Sequence, residues 1–178
     1  MGLFATIPID EVTVQDIASS VEMTPAAVYY HFASKEQILV EGMEQFRDQL
    51  LEEMRARLPE PGDTDGLSSL ITHSVSWAAR RHAQATVYFV NSIGLNLLVE
   101  ALRRETRLEM IELLRVAVRS VRSRLSRAEA GVIAVALVSL LETSLASMLN
   151  EDVVYRGLGA KKFVAEVAAI ANRIAGMD

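Results

Sequence analysis

All four prolines of this 178-residue chain, Pro8, Pro25, Pro59 and Pro61, fall within its first 61 residues. A proline inside a helix removes a backbone donor and clashes with the preceding turn. The stretch from Gly66 onward is therefore free to be helical with short breaks, while the segment before it must be built from shorter pieces. Composition agrees: aromatic residues make up only 6%, whereas Ala, Leu, Val, Met and Glu are common, a mixture that favours helix over sheet. No strand-like alternation or internal repeat stands out, and the expected class is all-α. The run from Leu58 to Gly66, with two prolines and two glycines, is the strongest punctuation. It separates a short N-terminal module, taken as residues 1–50, from a larger helical module, 51–178.

The N-terminal helices announce themselves by their caps. Thr13, with Asp16 three residues later, forms a capping-box pattern ahead of the apolar stripe Val14, Ile17, Ala18 and Val21. After a break at Glu22-Met23, Thr24 caps a second short helix whose first position is Pro25, where a missing N–H costs nothing. That helix runs to about Phe32. Ser34 with Gln37 then opens a third helix, predicted from Lys35 to Leu58, with Ile38, Leu39, Met43, Phe46, Leu50 and Met54 on one face. At 1.5 Å per residue it spans roughly 36 Å, long enough to pass from one module into the next. Beyond the punctuation, helices are predicted at 66–82, 84–93, 100–125, 127–149 and 160–176, with Asn150 to Gly159 as the last loop.

Several classes of function are excluded or disfavoured. With no cysteine there is no disulfide, no cysteine-ligated metal and no thiol nucleophile. Gly-x-Gly-x-x-Gly, P-loop and His-Glu-x-x-His patterns are missing, and no Glu-x-x-His pair exists for a di-iron bundle. The three histidines form no catalytic constellation, so neither an enzyme nor a cofactor or metal site is expected. Ala130 to Leu149 is apolar enough to raise a membrane span, but it starts behind the Ser126–Glu129 capping box and carries four hydroxyl residues. It reads as a buried bundle or dimer helix, and the chain as soluble and cytoplasmic. The net charge is −5, but residues 1–50 alone hold eight acidic groups against two basic ones. That acidity opposes simple electrostatic adhesion to nucleic acid.

Residues 13–37 nevertheless have the spacing of a helix-turn-helix: short helix, tight turn, second short helix capped by Thr-Pro, then a long helix. Small residues Pro25, Ala26 and Ala27 at the leading end would let the second helix approach base edges. Tyr29, Tyr30 and His31 offer donors for phosphate, and Lys35 sits in the first turn of the next helix. The strings Thr13-Val-Gln-Asp-Ile-Ala18, Val21-Glu-Met-Thr24 and Val28-Tyr-Tyr-His-Phe-Ala-Ser-Lys-Glu36 closely resemble the DNA-binding domain of the TetR family of transcriptional regulators. The resemblance implies that Gln15 and the residues from Pro25 to Tyr29 approach bases while Thr13, Tyr30, His31 and Lys35 clamp the backbone. It covers about 50 residues. Of the family's first helix only Gly2-Leu3-Phe4-Ala5-Thr6 remains, so that helix is expected to be truncated, leaving the apolar backs of the next two uncovered. Glu22 stands where the family usually carries Gly, at a cost on the order of 1 kcal/mol in a left-handed turn.

The larger module is expected to regulate. The 127–149 helix has more apolar surface than one small bundle can bury, and with 160–176 it is predicted to form a four-helix homodimer interface, as the resemblance implies. A two-fold dimer would read palindromic double-stranded operator DNA. His73, Trp77, Tyr88, Phe89, Asn91, Met110 and Glu142, with Met148 and Asn96, are candidates to line a pocket for a small, mainly apolar effector. The arginines from Arg103 to Arg127 could instead receive an anionic effector. The competing reading is a helical ligand- or protein-binding dimer that no longer binds DNA, having lost its first helix.

Overall fold

The computed structural model describes residues 1–177. Among them every regular element is helical. The order is α1 (Gly2–Thr6), α2 (Val14–Ser20), α3 (Pro25–His31), α4 (Lys35–Arg55), α5 (Gly66–Arg80) and α6 (His82–Thr86). A single π-turn (Val87–Asn91) follows, then α7 (Leu97–Val121), α8 (Arg127–Leu149), α9 (Val153–Leu158) and α10 (Ala160–Ile174).

The caps predicted from sequence are formed. Thr13 and Asp16 bond reciprocally at the start of α2, Thr24 accepts from Ala27 N–H, and Ser126 with Glu129 closes the box at α8; at α4 Ser34 accepts from Gln37 N–H, but the Gln37 side chain accepts from Ala33 N–H and not from Ser34, so that box is half formed. Of the boundaries that differ from expectation, four have a visible cause. α4 stops at Arg55 because the chain turns there on its way to Pro59. The helix predicted at 84–93 is α6 running into the π-turn. α7 begins at Leu97 because the Asn96 side chain caps Val99 N–H. The loop predicted at 150–159 contains α9, whose first turn is held by the Asp152 carboxylate accepting from Val154 and Tyr155 N–H.

α4 is the spine. Leu39, Met43, Phe46, Leu50 and Met54 recur every three to four residues and are all buried, so one stripe of this helix belongs to a core that is continuous from Phe4 to Ala175. α7 and α8 pack against each other, and α5 and α10 close the opposite side of the bundle. α8 is long and apolar enough to cross a membrane, yet Ala134, Leu137, Val138, Leu141 and Leu145 are packed in this core. Its other face carries Val132, 73% exposed, and Val135, 45% exposed. Gly66 opens α5 for a steric reason: a Cβ there would collide with Pro59.

Candidate nucleic-acid interface

α2 and α3 are held together by one small contact set. Ala18 of α2 and Val28 of α3 are the buried anchors, and the turn between them brings Met23 N–H to the Ala18 carbonyl at 2.9 Å. This turn requires a left-handed residue, and Glu22 supplies it at φ 56°, as its position in the sequence suggested. Because α3 has only seven residues and buries Val28, its remaining side chains face solvent. Tyr30 is 85% exposed and Tyr29 58%; Gln15, Ala26 and His31 are also exposed, and Pro25 and Ala27 are half-buried. The Tyr30 and His31 rings meet edge-on at 5.1 Å. Gln15, Ala26, Tyr29, Tyr30 and His31 are thus free to reach a ligand.

Two expected phosphate clamps are committed elsewhere. Lys35 Nζ donates to the carbonyls of Ile9 (3.0 Å), Asp10 (2.8 Å) and Val12 (2.7 Å), which uses all three ammonium protons inside the fold. Thr13 gives both its N–H and its hydroxyl proton to the Asp16 carboxylate. These hydrogen bonds hold the Asp16 carboxyl below the usual carboxylate range. Glu36, bonded by its own N–H and by Ser34, is lowered as well, so both stay ionised beside the exposed face.

The backs of α2 and α3 are open. A groove of about 720 Å³ lies between Met1, Leu3 and Phe4 on one side and Ile17, Val21, Met23, Val28, Phe32 and Ile38 on the other. α1 has only five residues; Phe4 is buried, while Val21 and Met23 remain 54% and 42% exposed. The apolar backs of α2 and α3 are thus partly exposed along this groove.

Of the candidate pocket residues of the larger module, Trp77, Tyr88 and Phe89 converge as packed core and the others lie apart. Trp77, Tyr88, Phe89 and Met110 are buried core. Phe46, not among those candidates, sits at the centre of the aromatic group, 5.3 Å from the Trp77 and Tyr88 rings and 6.0 Å from Phe89. Its apolar periodicity on α4 marked it as core, and only the fold shows what it touches. His73 pairs with Glu53 at 2.8 Å on the rim, and Glu142 pairs with Arg107. Asn96 caps α7. Met148 borders a different groove, about 560 Å³, with Thr72, Ser76, Arg80, Tyr155 and Lys161. Asn91 is the clearest correction: its amide donates to the carbonyls of Phe4 (2.9 Å) and Ala5 (3.3 Å), tying α1 to the bundle rather than lining a pocket. The arginine series is likewise dispersed. Arg103 bonds the Tyr88 carbonyl, Arg115 pairs with Glu112, and Arg122 holds the carbonyls of Ala175 and Gly176.

Residues 1–41 match the family model described as "Bacterial regulatory proteins, tetR family". Residues 1–41 form a TetR-type helix-turn-helix domain. Solved structures similar to the whole chain extend the likeness in fold. A TetR transcriptional regulator from Legionella pneumophila superimposes with a TM-score of 0.73 at 15% identity, covering 96% of this chain and 90% of that one. AmtR of Mycobacterium smegmatis gives 0.70 at 22% identity, covering 99% and 82%. The TetR-family regulator PfmR of Thermus thermophilus gives 0.68 at 20% identity, covering 98% and 93%. No curated protein sequence matches at a significant level. The TetR-type domain thus occupies α1–α3 and the start of α4, and the helical bundle behind it has the fold of the C-terminal helices of those proteins.

Proposed function

We propose that this chain is a ligand-responsive transcriptional repressor that binds palindromic operator DNA as a homodimer in the cytoplasm and is released by a small, mainly apolar effector. The observation that carries the reading is α3: a seven-residue helix in a TetR-type domain, anchored by Val28 alone and presenting Tyr29 and Tyr30 to solvent. In this reading Gln15, Pro25, Ala26, Ala27 and Tyr29 approach base edges, and Tyr30 and His31 bond phosphates. The dimer forms through α8 and α10, where Val132, Val135 and Ile170 lie exposed on the protomer. Two recognition helices must then stand roughly 34–36 Å apart to enter successive major grooves. α4 runs unbroken from beneath α3 into the aromatic core at Phe46, so repacking of that core by an effector tilts α3 as a lever.

The test is enrichment of random duplexes on the purified protein, followed by titration of the selected site. An inverted repeat with half-sites one helical turn apart is the expected product. Recovery of no preferred sequence would remove the repressor reading. Effector release is tested separately, by displacement of the selected duplex together with emission from Trp77, the single tryptophan. DNA and effector must weaken each other's binding by one common factor.

A second reading is supported by the open groove behind α2 and α3 and by the acidity of residues 1–50. In it the chain is a helical ligand- or protein-binding dimer that does not bind DNA. The same enrichment separates the two.

A further inference from the structure

The segment between α1 and α2 has little slack. Asn91, the last residue of the π-turn, bonds the carbonyls of Phe4 and Ala5 at the end of α1. The chain then turns on Pro8, whose carbonyl accepts from Glu11 N–H at 2.9 Å and Val12 N–H at 3.3 Å. Lys35 grips Ile9, Asp10 and Val12 from beneath, and the next residue, Thr13, is the N-cap of α2. Ile9 and Val12 are buried, which pins the middle of the segment as well. The π-turn itself is held by Ser92 N–H on the Val87 carbonyl at 3.0 Å, with Arg103 and the Ser92 hydroxyl both donating to the Tyr88 carbonyl. Such turns place one extra residue in a helix and recur at functional positions. Here the turn carries Tyr88 and Phe89, whose rings pack on Phe46, and ends on the residue that holds α1.

We infer that Phe4–Val12 is a strap, tied to the bundle by Asn91 and to α4 by Lys35, that couples the packing of the π-turn to the position of α2. Asn91 is then a positioning residue: it touches neither DNA nor effector, but it sets where α2, and through Ala18 and Val28 also α3, sits against the bundle. The strap thus gives α2 two ties: a shift of α4 reaches it through Lys35, and a shift of the π-turn reaches it through Asn91. The use of the strap in switching rests on the repressor reading above; its existence as a mechanical link does not.

The experiment is hydrogen exchange on the full chain, with neither DNA nor small molecule present. Asn91→Ala removes about one hydrogen-bonding side chain's worth of restraint, so the bonded amides of Ile7, Glu11 and Val12, and of Ile17 and Ala18 in α2, should exchange roughly tenfold faster. Amides around Phe46–Leu50 in α4 should be unchanged. Asn91→Gln keeps the donor and should recover most of the protection. Lys35→Met should loosen the same amides, and the double variant Asn91→Ala/Lys35→Met should be no faster than the faster single one, since a strap cut at either end is cut. Acceleration confined to residues 4–6, or single effects that multiply in the double variant, would overturn the strap. Failure of the duplex enrichment with this exchange pattern intact would overturn the repressor reading and leave the link standing.

Discussion

Lys35 Nζ lies 2.7 Å from the carbonyl of Val12, the residue immediately before the cap of α2, so the lysine that resembles a phosphate clamp in sequence is an internal clasp in the fold. Lys35→Met should therefore lower stability by about 1–3 kcal/mol, since three carbonyls lose a charged donor. For a chain of this size each kcal/mol is roughly 2–4 °C of Tm. The slope of log Kd against log salt for duplex DNA should stay unchanged. A slope lowered by about one with an unaltered Tm would instead return the ammonium to the phosphate backbone.

Tyr30 offers the opposite case. At 85% exposed it contributes nothing to the core, and Tyr30→Ala should leave thermal unfolding within about 0.5 kcal/mol of the parent. Its loss should weaken binding of the selected duplex about tenfold, evenly across base substitutions in the site. Anisotropy titrations on a panel of single-base variants distinguish this from base readout, which would concentrate the loss at one position.

The exposed face of α8 sets the expected dimer. Val132→Glu places a charge on a residue 73% exposed in the protomer and should convert the dimer to a folded monomer in sedimentation, with helical circular dichroism retained. Ala134 and Val138, by contrast, are fully buried within the protomer, so Ala134→Asp should unfold the chain rather than separate two copies. A Val132→Glu protein that still sediments as a dimer places the interface elsewhere.

Glu22 occupies the left-handed turn at φ 56°. Glu22→Gly should stabilise the chain by about 1 kcal/mol, less the extra freedom that glycine brings to the unfolded chain. Urea unfolding measures it, and a lower midpoint would show that the Glu22 side chain makes a compensating contact.

The capping carboxylates determine part of the acid sensitivity. Hydrogen bonds from Thr13 hold Asp16 below its ordinary pKa, and those from Ser126 do the same for Glu129. A depressed native pKa means stabilisation that is complete above the unfolded-state value, near 4, and is lost as pH falls through the lower native value. The midpoint in urea should fall between about pH 5 and pH 3, and Asp16→Asn with Glu129→Gln should flatten that fall. An equally steep dependence in the double variant would assign the acid sensitivity to other carboxylates, Glu53 beside His73 among them.

What could be read from the sequence was local. Thr13 with Asp16, Thr24 with Pro25, Ser34 with Gln37 and Ser126 with Glu129 act over three residues or fewer, and each forms where its spacing placed it. The helix-turn-helix and its family followed from those short-range signals, as did the left-handed Glu22 and the apolar stripe of α4. The π-turn left no such mark, because its extra residue is stabilised by Arg103 on another helix.

The roles of Lys35 and Asn91 were decided by tertiary structure alone. Lys35 meets carbonyls 23 to 26 residues away, and Asn91 meets carbonyls 86 and 87 residues away. A side chain with free donors reads the same in sequence whether it faces phosphate, an effector or a backbone carbonyl. Which acceptor it meets depends on where packing of Phe46, Tyr88 and Phe89 leaves the π-turn, and on where α1 and the turn at Pro8 leave their carbonyls. Local propensity determines that these helices exist; burial of the shared core determines which of their polar groups remain free to act.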